Sequence, residues 1–198
     1  MKKNLLILLI IFIGCKNDKN IDIKGRNGKV FHNDNTDIII RDYDKTETLI
    51  IEGIDLKNED EPYKAIQKFN LAEKEYGQRL SIFLNRGFCF DMLEKRNEAV
   101  EDYSKCLKMK NNYFPALLNR GLVYRELGET EKAMIDLNKA TEVNSSEPTG
   151  YLNRALLFQD MGMYNEACAD AKKAIQLGFV EKYNNNMPQK IVDEVCGE

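Results

Sequence analysis

The tetrapeptide LNRG stands at residues 84–87 and again at 118–121, and LNRA follows at 152–155. An Asn-Arg pair followed by a very small residue thus returns every 34 residues. Arginine is rarely buried in a packed helix unless something pairs with it, so its regular return asks for a structural cause. With this period the chain divides without insertion into four frames, 46–79, 80–113, 114–147 and 148–181.

The frames agree slot by slot. The eighth slot holds Gly53, Gly87, Gly121 and Ala155, the twentieth Ala65, Ala99, Ala133 and Ala167, and the twenty-seventh Ala72, Cys106, Ala140 and Ala174. Small residues at such spacings let two helices approach closely. Large apolar residues fill the fourth slot (Leu49, Phe83, Leu117, Tyr151) and the eleventh (Leu56, Phe90, Tyr124, Phe158), which share one helical face. Gly128 and Gly162 mark a turn at the fifteenth slot, where Asp60 and Glu94 stand in the first two frames. Each frame therefore reads as a helix, a tight turn and a second helix.

The period and its three small slots resemble the tetratricopeptide repeat family over residues 46–181. The resemblance implies an all-α fold, a right-handed superhelical array of four helix hairpins. No Trp occupies the fourth slot, and Gly77, Asn111, Ser145 and Phe179 replace the usual late proline. Beyond the fourth frame, Pro188 opens a short helix with Ile191, Val192 and Val195 on one face. Residues 182–198 are expected to cap the last exposed apolar face of the array.

The arginine follows from the hairpin. Residues equally far before and after the turn lie level, which sets Arg86 opposite Asp102, Arg120 opposite Asp136 and Arg154 opposite Asp170. In the first frame the same slots hold Glu52 and Lys68, with the charges exchanged. Opposite signs in all four frames point to an ion pair inside each hairpin rather than to a row of arginines gripping an anion.

At the front, MKKNLLILLIIFIGC has two lysines, an apolar run from Leu5 to Ile13, then Gly14 and Cys15. Nine apolar residues are too few for a bilayer span, which takes about 20, but suit an export signal over residues 1–14. Phe12, Ile13, Gly14 and Cys15 resemble the lipobox of bacterial lipoproteins, which implies a lipid on Cys15 and a membrane-anchored mature chain. The alternative is an ordinary cleaved signal. Residues 15–45 are rich in Asn, Asp, Lys and Gly and read as a flexible tether with a short apolar knot at Ile38, Ile39 and Ile40. His32, the one histidine, lies there as a solvated side chain. Removing the signal takes two of the 29 basic residues, leaving 27 against 32 acidic ones and moving the net charge from −3 to −5. That balance argues against nucleic acid as a partner.

Cys89 and Cys106 sit at unequal distances from their turn, offset by roughly 10 Å along the helix axis, and read as buried apolar residues. Cys168 and Cys196 differ, because a bridge between them would hold a small cap with little area of its own. Such a loop closure contributes on the order of 3 to 4 kcal/mol; two free thiols are the alternative. There is no metal-ligand spacing, no phosphate-cradling glycine loop and no histidine in the repeats to act as a general base. The sequence thus predicts no enzyme, no cofactor and no metal.

The resemblance also implies where a ligand would lie. In the family, slots two, five, nine, twelve and thirteen of the first helices line a concave face. Here slots five and nine hold Ile50 and Ile54, Leu84 and Phe88, Leu118 and Leu122, and Leu152 and Leu156, an apolar stripe. Arg125 and Gln159, with Asp91, Glu126 and Asp160, would form its polar rim. The lysine and asparagine with which some members clamp a terminal carboxylate are missing, which points to an apolar peptide or protein segment. Ordinary repeat packing, or cover by Ile38, Ile39 and Ile40, remains the other reading of the stripe. The expected role is an adaptor or assembly scaffold lipid-anchored at the bacterial envelope, on the outer rather than the inner membrane. The alternative is a structural protein whose groove is a homodimer interface.

Overall fold

The computed structural model describes residues 29–33, 36–40 and 45–196, so the export signal, Cys15 and the first part of the tether lie outside the described residues. Inside the stretch read as tether, β1 (Lys29–Asn33) pairs antiparallel with β2 (Thr36–Ile40), His32 standing opposite Asp37. Everything described after it is helix and turn: α1 (Lys45–Asn58), α2 (Pro62–Tyr76), α3 (Leu80–Met92), α4 (Arg96–Met109), α5 (Phe114–Glu126), α6 (Thr130–Val143), α7 (Pro148–Asp160), α8 (Tyr164–Gln176), α9 (Phe179–Tyr183) and α10 (Met187–Val195). The chain forms two compact units, one ending at Ile82 and one beginning at Phe83.

Four of the described helices open on proline just inside their start, Pro62 of α2, Pro115 of α5, Pro148 of α7 and Pro188 of α10, where its missing N–H has no partner to lose. All four hairpin turns close in one way. The N–H of Glu61 reaches the carbonyl of Leu56, Lys95 that of Phe90, Glu129 that of Tyr124 and Met163 that of Phe158, at 2.8, 2.9, 2.8 and 2.9 Å. A second bond from slot fifteen back to slot twelve completes a Schellman motif each time. That motif needs a left-handed residue at slot fifteen. Gly128 and Gly162 supply it at φ 73° and 72°, whereas Asp60 and Glu94 adopt φ 62° and 59° as non-glycine residues.

The small slots do what their spacing predicts. A Cβ on Gly53 would stand 2.7 Å from the ring of Phe69 in the first unit. In the second unit a Cβ on Gly87 would meet the Tyr103 ring at 2.8 Å, and one on Gly121 the Leu137 side chain at 2.9 Å. Ala65, Ala99, Ala133, Ala167, Ala72, Cys106, Ala140 and Ala174 are all fully buried between their helices. Leu118 of α5 packs with Ala133 and Leu137 of α6 and Leu157 of α7, so one core runs from hairpin to hairpin.

At the far end α10 packs on α8 and touches α7. Ile191 and Pro188 are its buried residues, and Cys196 is bonded to Cys168, with the two Cα atoms 5.2 Å apart. Cys89 and Cys106 are buried and not joined in a disulfide.

Candidate functional site

The arginine of LNRG is the best-defined polar feature. Arg86 Nε and Nη2 donate to the Asp102 carboxylate at 2.6 and 2.9 Å, Arg120 to Asp136 at 2.7 and 2.9 Å, and Arg154 to Asp170 at 2.7 and 2.9 Å. In the first unit the exchanged pair also meets, Lys68 Nζ lying 2.6 Å from Glu52. Two-point contact with a carboxylate fixes orientation as well as charge. Aromatic rings at slots four and eleven seat the guanidinium: Arg86 lies over Phe83, Arg120 over Tyr124, and Arg154 over both Tyr151 and Phe158, at 5.6 to 5.8 Å.

Two of these arginines also reach the preceding hairpin. Arg120 Nη1 donates to Ser104 Oγ at 2.9 Å, and Arg154 Nη1 to Asn138 Oδ1 at 2.9 Å and Thr141 Oγ1 at 3.0 Å. One side chain therefore ties both helices of its own hairpin and the second helix of the hairpin before. The sequence carried a signal for this: slot twenty-five holds Asn70, Ser104 and Asn138, short polar residues in three frames. Burial, the largest single cause, disfavours charge on Arg120, but the hydrogen bonds to Asp136, the charge of that carboxylate and Tyr124 together outweigh it and raise the pKa above the ordinary arginine value. The bonds to Asp170 raise that of Arg154 against the opposing effect of burial.

The apolar stripe is packing surface for most of its length. Ile50, Leu84, Phe88, Leu118, Leu122 and Leu152 are buried, Phe88 at 2% exposure and Leu152 at 0%, which removes them as free ligand contacts; only Ile54 and Leu156 are half-exposed. The physical reason is the crowding of a first helix in a stack: α3 is buried continuously from Ile82 to Cys89. A two-sided picture, one face in and one face out, does not describe such a helix. The asparagines of LNRG share this fate, Asn85, Asn119 and Asn153 all being buried.

The polar rim is self-paired and unevenly exposed: Asp160 is exposed, Arg125, Glu126 and Gln159 are half-buried, and Asp91 is buried under its neighbours, which removes it as a free rim contact. Arg125 Nε donates to Asp160 at 2.5 Å, and Gln159 Nε2 to Glu194 at 2.9 Å, each across 35 residues, so slot twelve of one hairpin faces slot thirteen of the next element. Arg96, which the sequence reading overlooked, stands between two carboxylates, 2.6 Å from Asp91 and 2.5 Å from Glu126. Burial is the main cause that lifts Asp91 to a pKa of about 6, Arg96 opposing and Glu126 adding to it. Burial likewise raises Glu126, against Arg96 and Arg125. Among the described residues no group of His, Cys, Asp and Glu side chains could hold a metal ion, and no helix is long and apolar enough to cross a membrane.

Residues 121–162 match the family described as TPR repeat, and residues 80–113 and 148–177 match the one described as tetratricopeptide repeat. No curated protein matches the chain. Among solved structures it is similar to a tetratricopeptide repeat protein from Parabacteroides merdae, at 22% identity over 76% of this chain and 57% of that one, TM-score 0.65. It is also similar to a thermophilic TPR protein in Thermus thermophilus (20% identity, 76% and 80% covered, TM-score 0.63) and to MamA from Desulfovibrio magneticus (17%, 78% and 90%, 0.64). The chain thus spans little more than half the length of the Parabacteroides protein, and identities at this level speak for the fold alone. The matches at 80–113 and 148–177 begin on frames that the LNRG period marks out, the match at 121–162 runs from the third frame into the fourth, and the hairpins, turns and small-residue contacts repeat with them: residues 80–113 and 121–177 are tetratricopeptide repeats.

Proposed function

We propose that this protein is a non-enzymatic interaction module, held at a bacterial envelope membrane by lipid on Cys15, whose repeat edge takes a segment of another protein. Tetratricopeptide repeats are protein-interaction and scaffold elements, and this supports the general class. The observation that carries the specific reading is the regular presentation of slots twelve and thirteen. Arg125, Gln159 and Asp160 come to one edge on successive hairpins, with half-exposed Leu156 nearby in sequence on α7. A ligand there would exchange the ion pair of Arg125 for its own polar groups and lay an apolar side chain against Leu156.

A photo-cross-linking residue at Leu156, in cells, tests this directly. Adducts with a different envelope protein are the expected result, and an absence of such adducts overturns the reading. Adducts only with further copies of the chain would establish the second reading, self-association, which Ile135 favours by lying 68% exposed on α6. The anchor rests on the run MKKNLLILLIIFIGC. Fatty-acid labelling should mark the wild type and not Cys15→Ala; an unlabelled wild type removes the anchor, and with it the expected outer-membrane location, from the proposal.

A further inference from the structure

The helix α10 continues the repeat. Carrying the period beyond residue 181 puts Ile191 in slot ten and Glu194 in slot thirteen of a fifth frame. Slot ten of the second, third and fourth frames holds Cys89, Val123 and Leu157, all buried, where the first frame has the exposed Asp55, and Ile191 is buried in its turn. Glu194 accepts from Gln159 across the same 35 residues that separate Arg125 from Asp160. The helix packed on α8 therefore sits in the seat of a fifth first helix, in register.

Its non-covalent hold is one face of a short helix laid against α8. It is nine residues long, with Pro188 and Ile191 buried, and Gln189, Lys190, Asp193 and Glu194 exposed. Residues 184–186, three asparagines, join it to α9, and Asn184 takes a left-handed φ of 48° that a non-glycine residue holds at a cost. The bond from Cys168 to Cys196 crosses from α8 to the end of this helix. Both cysteines are half-exposed, whereas Cys89 and Cys106 are fully buried, and burial pushes the Cys106 thiol up to about 12. Thiol exchange needs an accessible sulfur and a thiolate, so one pair alone offers it among the four.

We propose that the Cys168–Cys196 bond is a redox latch: oxidised, it holds α10 in the seat of a fifth first helix, and reduced, it lets α10 leave on residues 184–186. The reductant is a dithiol. One of its thiolates attacks a sulfur of the bond, the other cysteine departs as a thiolate and takes a proton, and the second thiolate of the dithiol then resolves the mixed disulfide. Two electrons and two protons pass to the protein, which gains two thiols, while the dithiol becomes a cyclic disulfide. The latch does not depend on the interaction reading above, since α10 can be held or released whether or not a partner binds.

Hydrogen exchange of the full chain, oxidised, treated with dithiothreitol, and as Cys168→Ser and Cys196→Ser, reads the latch. Amides of residues 191–195 should exchange roughly tenfold to a hundredfold faster in all three unbridged forms, with α5 and α6 unchanged. Oxidised glutathione should restore slow exchange in the reduced wild type but not in the serine variants. Equal rates at residues 191–195 with and without the bond would overturn the proposal, as would equal acceleration in α5 and α6, which marks a general staple.

Discussion

Arg120 and Asp136 meet fork to fork, at 2.7 and 2.9 Å, while the third guanidinium nitrogen of Arg120 leaves its own hairpin for Ser104 Oγ at 2.9 Å. The first bond pair closes a hairpin and the second joins two hairpins. Arg154 repeats the arrangement with Asp170 and Asn138. A stack of hairpins in which each contacts only its neighbours depends on such joints.

Arg120→Asp should destabilise the protein by about 3 kcal/mol, because it sets two carboxylates together at a mostly buried place. Adding Asp136→Arg should recover about 1 kcal/mol, imitating the Glu52 and Lys68 order, without restoring the bond to Ser104. Urea unfolding of the double-mutant cycle measures the coupling. An additive cycle means that the pair is not a unit.

Glu94 occupies a left-handed turn position, φ 59°, that Gly128 and Gly162 fill in the later hairpins. Glu94→Gly relieves a backbone cost of about 1 to 2 kcal/mol and gives part of that back as chain entropy. The expected outcome is a net gain of about 0.5 to 1 kcal/mol, visible as a raised Tm. Gly128→Glu should lower Tm by a comparable amount.

Phe88 is buried and Leu156 half-exposed, although the sequence gives them equivalent slots. Phe88→Ala should cost about 3 to 5 kcal/mol, the scale of an aromatic removed from a core. Leu156→Glu should cost under about 1 kcal/mol. Similar losses at the two positions would show that α7 is as enclosed as α3.

Burial raises Asp91 from 3.8 to a pKa of about 6. The folded protein then holds the proton more tightly than the unfolded chain, so the stability linked to this group is full below about pH 4 and is lost as pH rises through 6. Glu126, also raised, acts with the same sign. Asp91→Asn should remove a pH-dependent difference on the order of 2 to 3 kcal/mol across that window. Unfolding curves of wild type and variant between pH 4 and 7 check it, and parallel curves refute the burial argument.

The sequence determined by itself whatever depends on spacing along one chain. The 34-residue period, the small eighth, twentieth and twenty-seventh slots, the turn at slot fifteen and the pairing of Arg86, Arg120 and Arg154 with their aspartates all lie inside a single hairpin. There the distance between partners follows from helix rise and turn length alone. Tertiary structure decided what depends on the next hairpin. Leu118 and Leu152 read as one face of an amphipathic helix, but in a stack the neighbouring hairpin covers that face, and amphipathic periodicity counts only one neighbour. Arg96 was overlooked for the same reason: nothing along α4 indicates that Asp91 of α3 and Glu126 of α5 converge on it. The direction of Arg120 Nη1 to Ser104, and the seat of α10 as a fifth first helix, are likewise set by packing between repeats, where the register of one hairpin against another fixes which side chains meet.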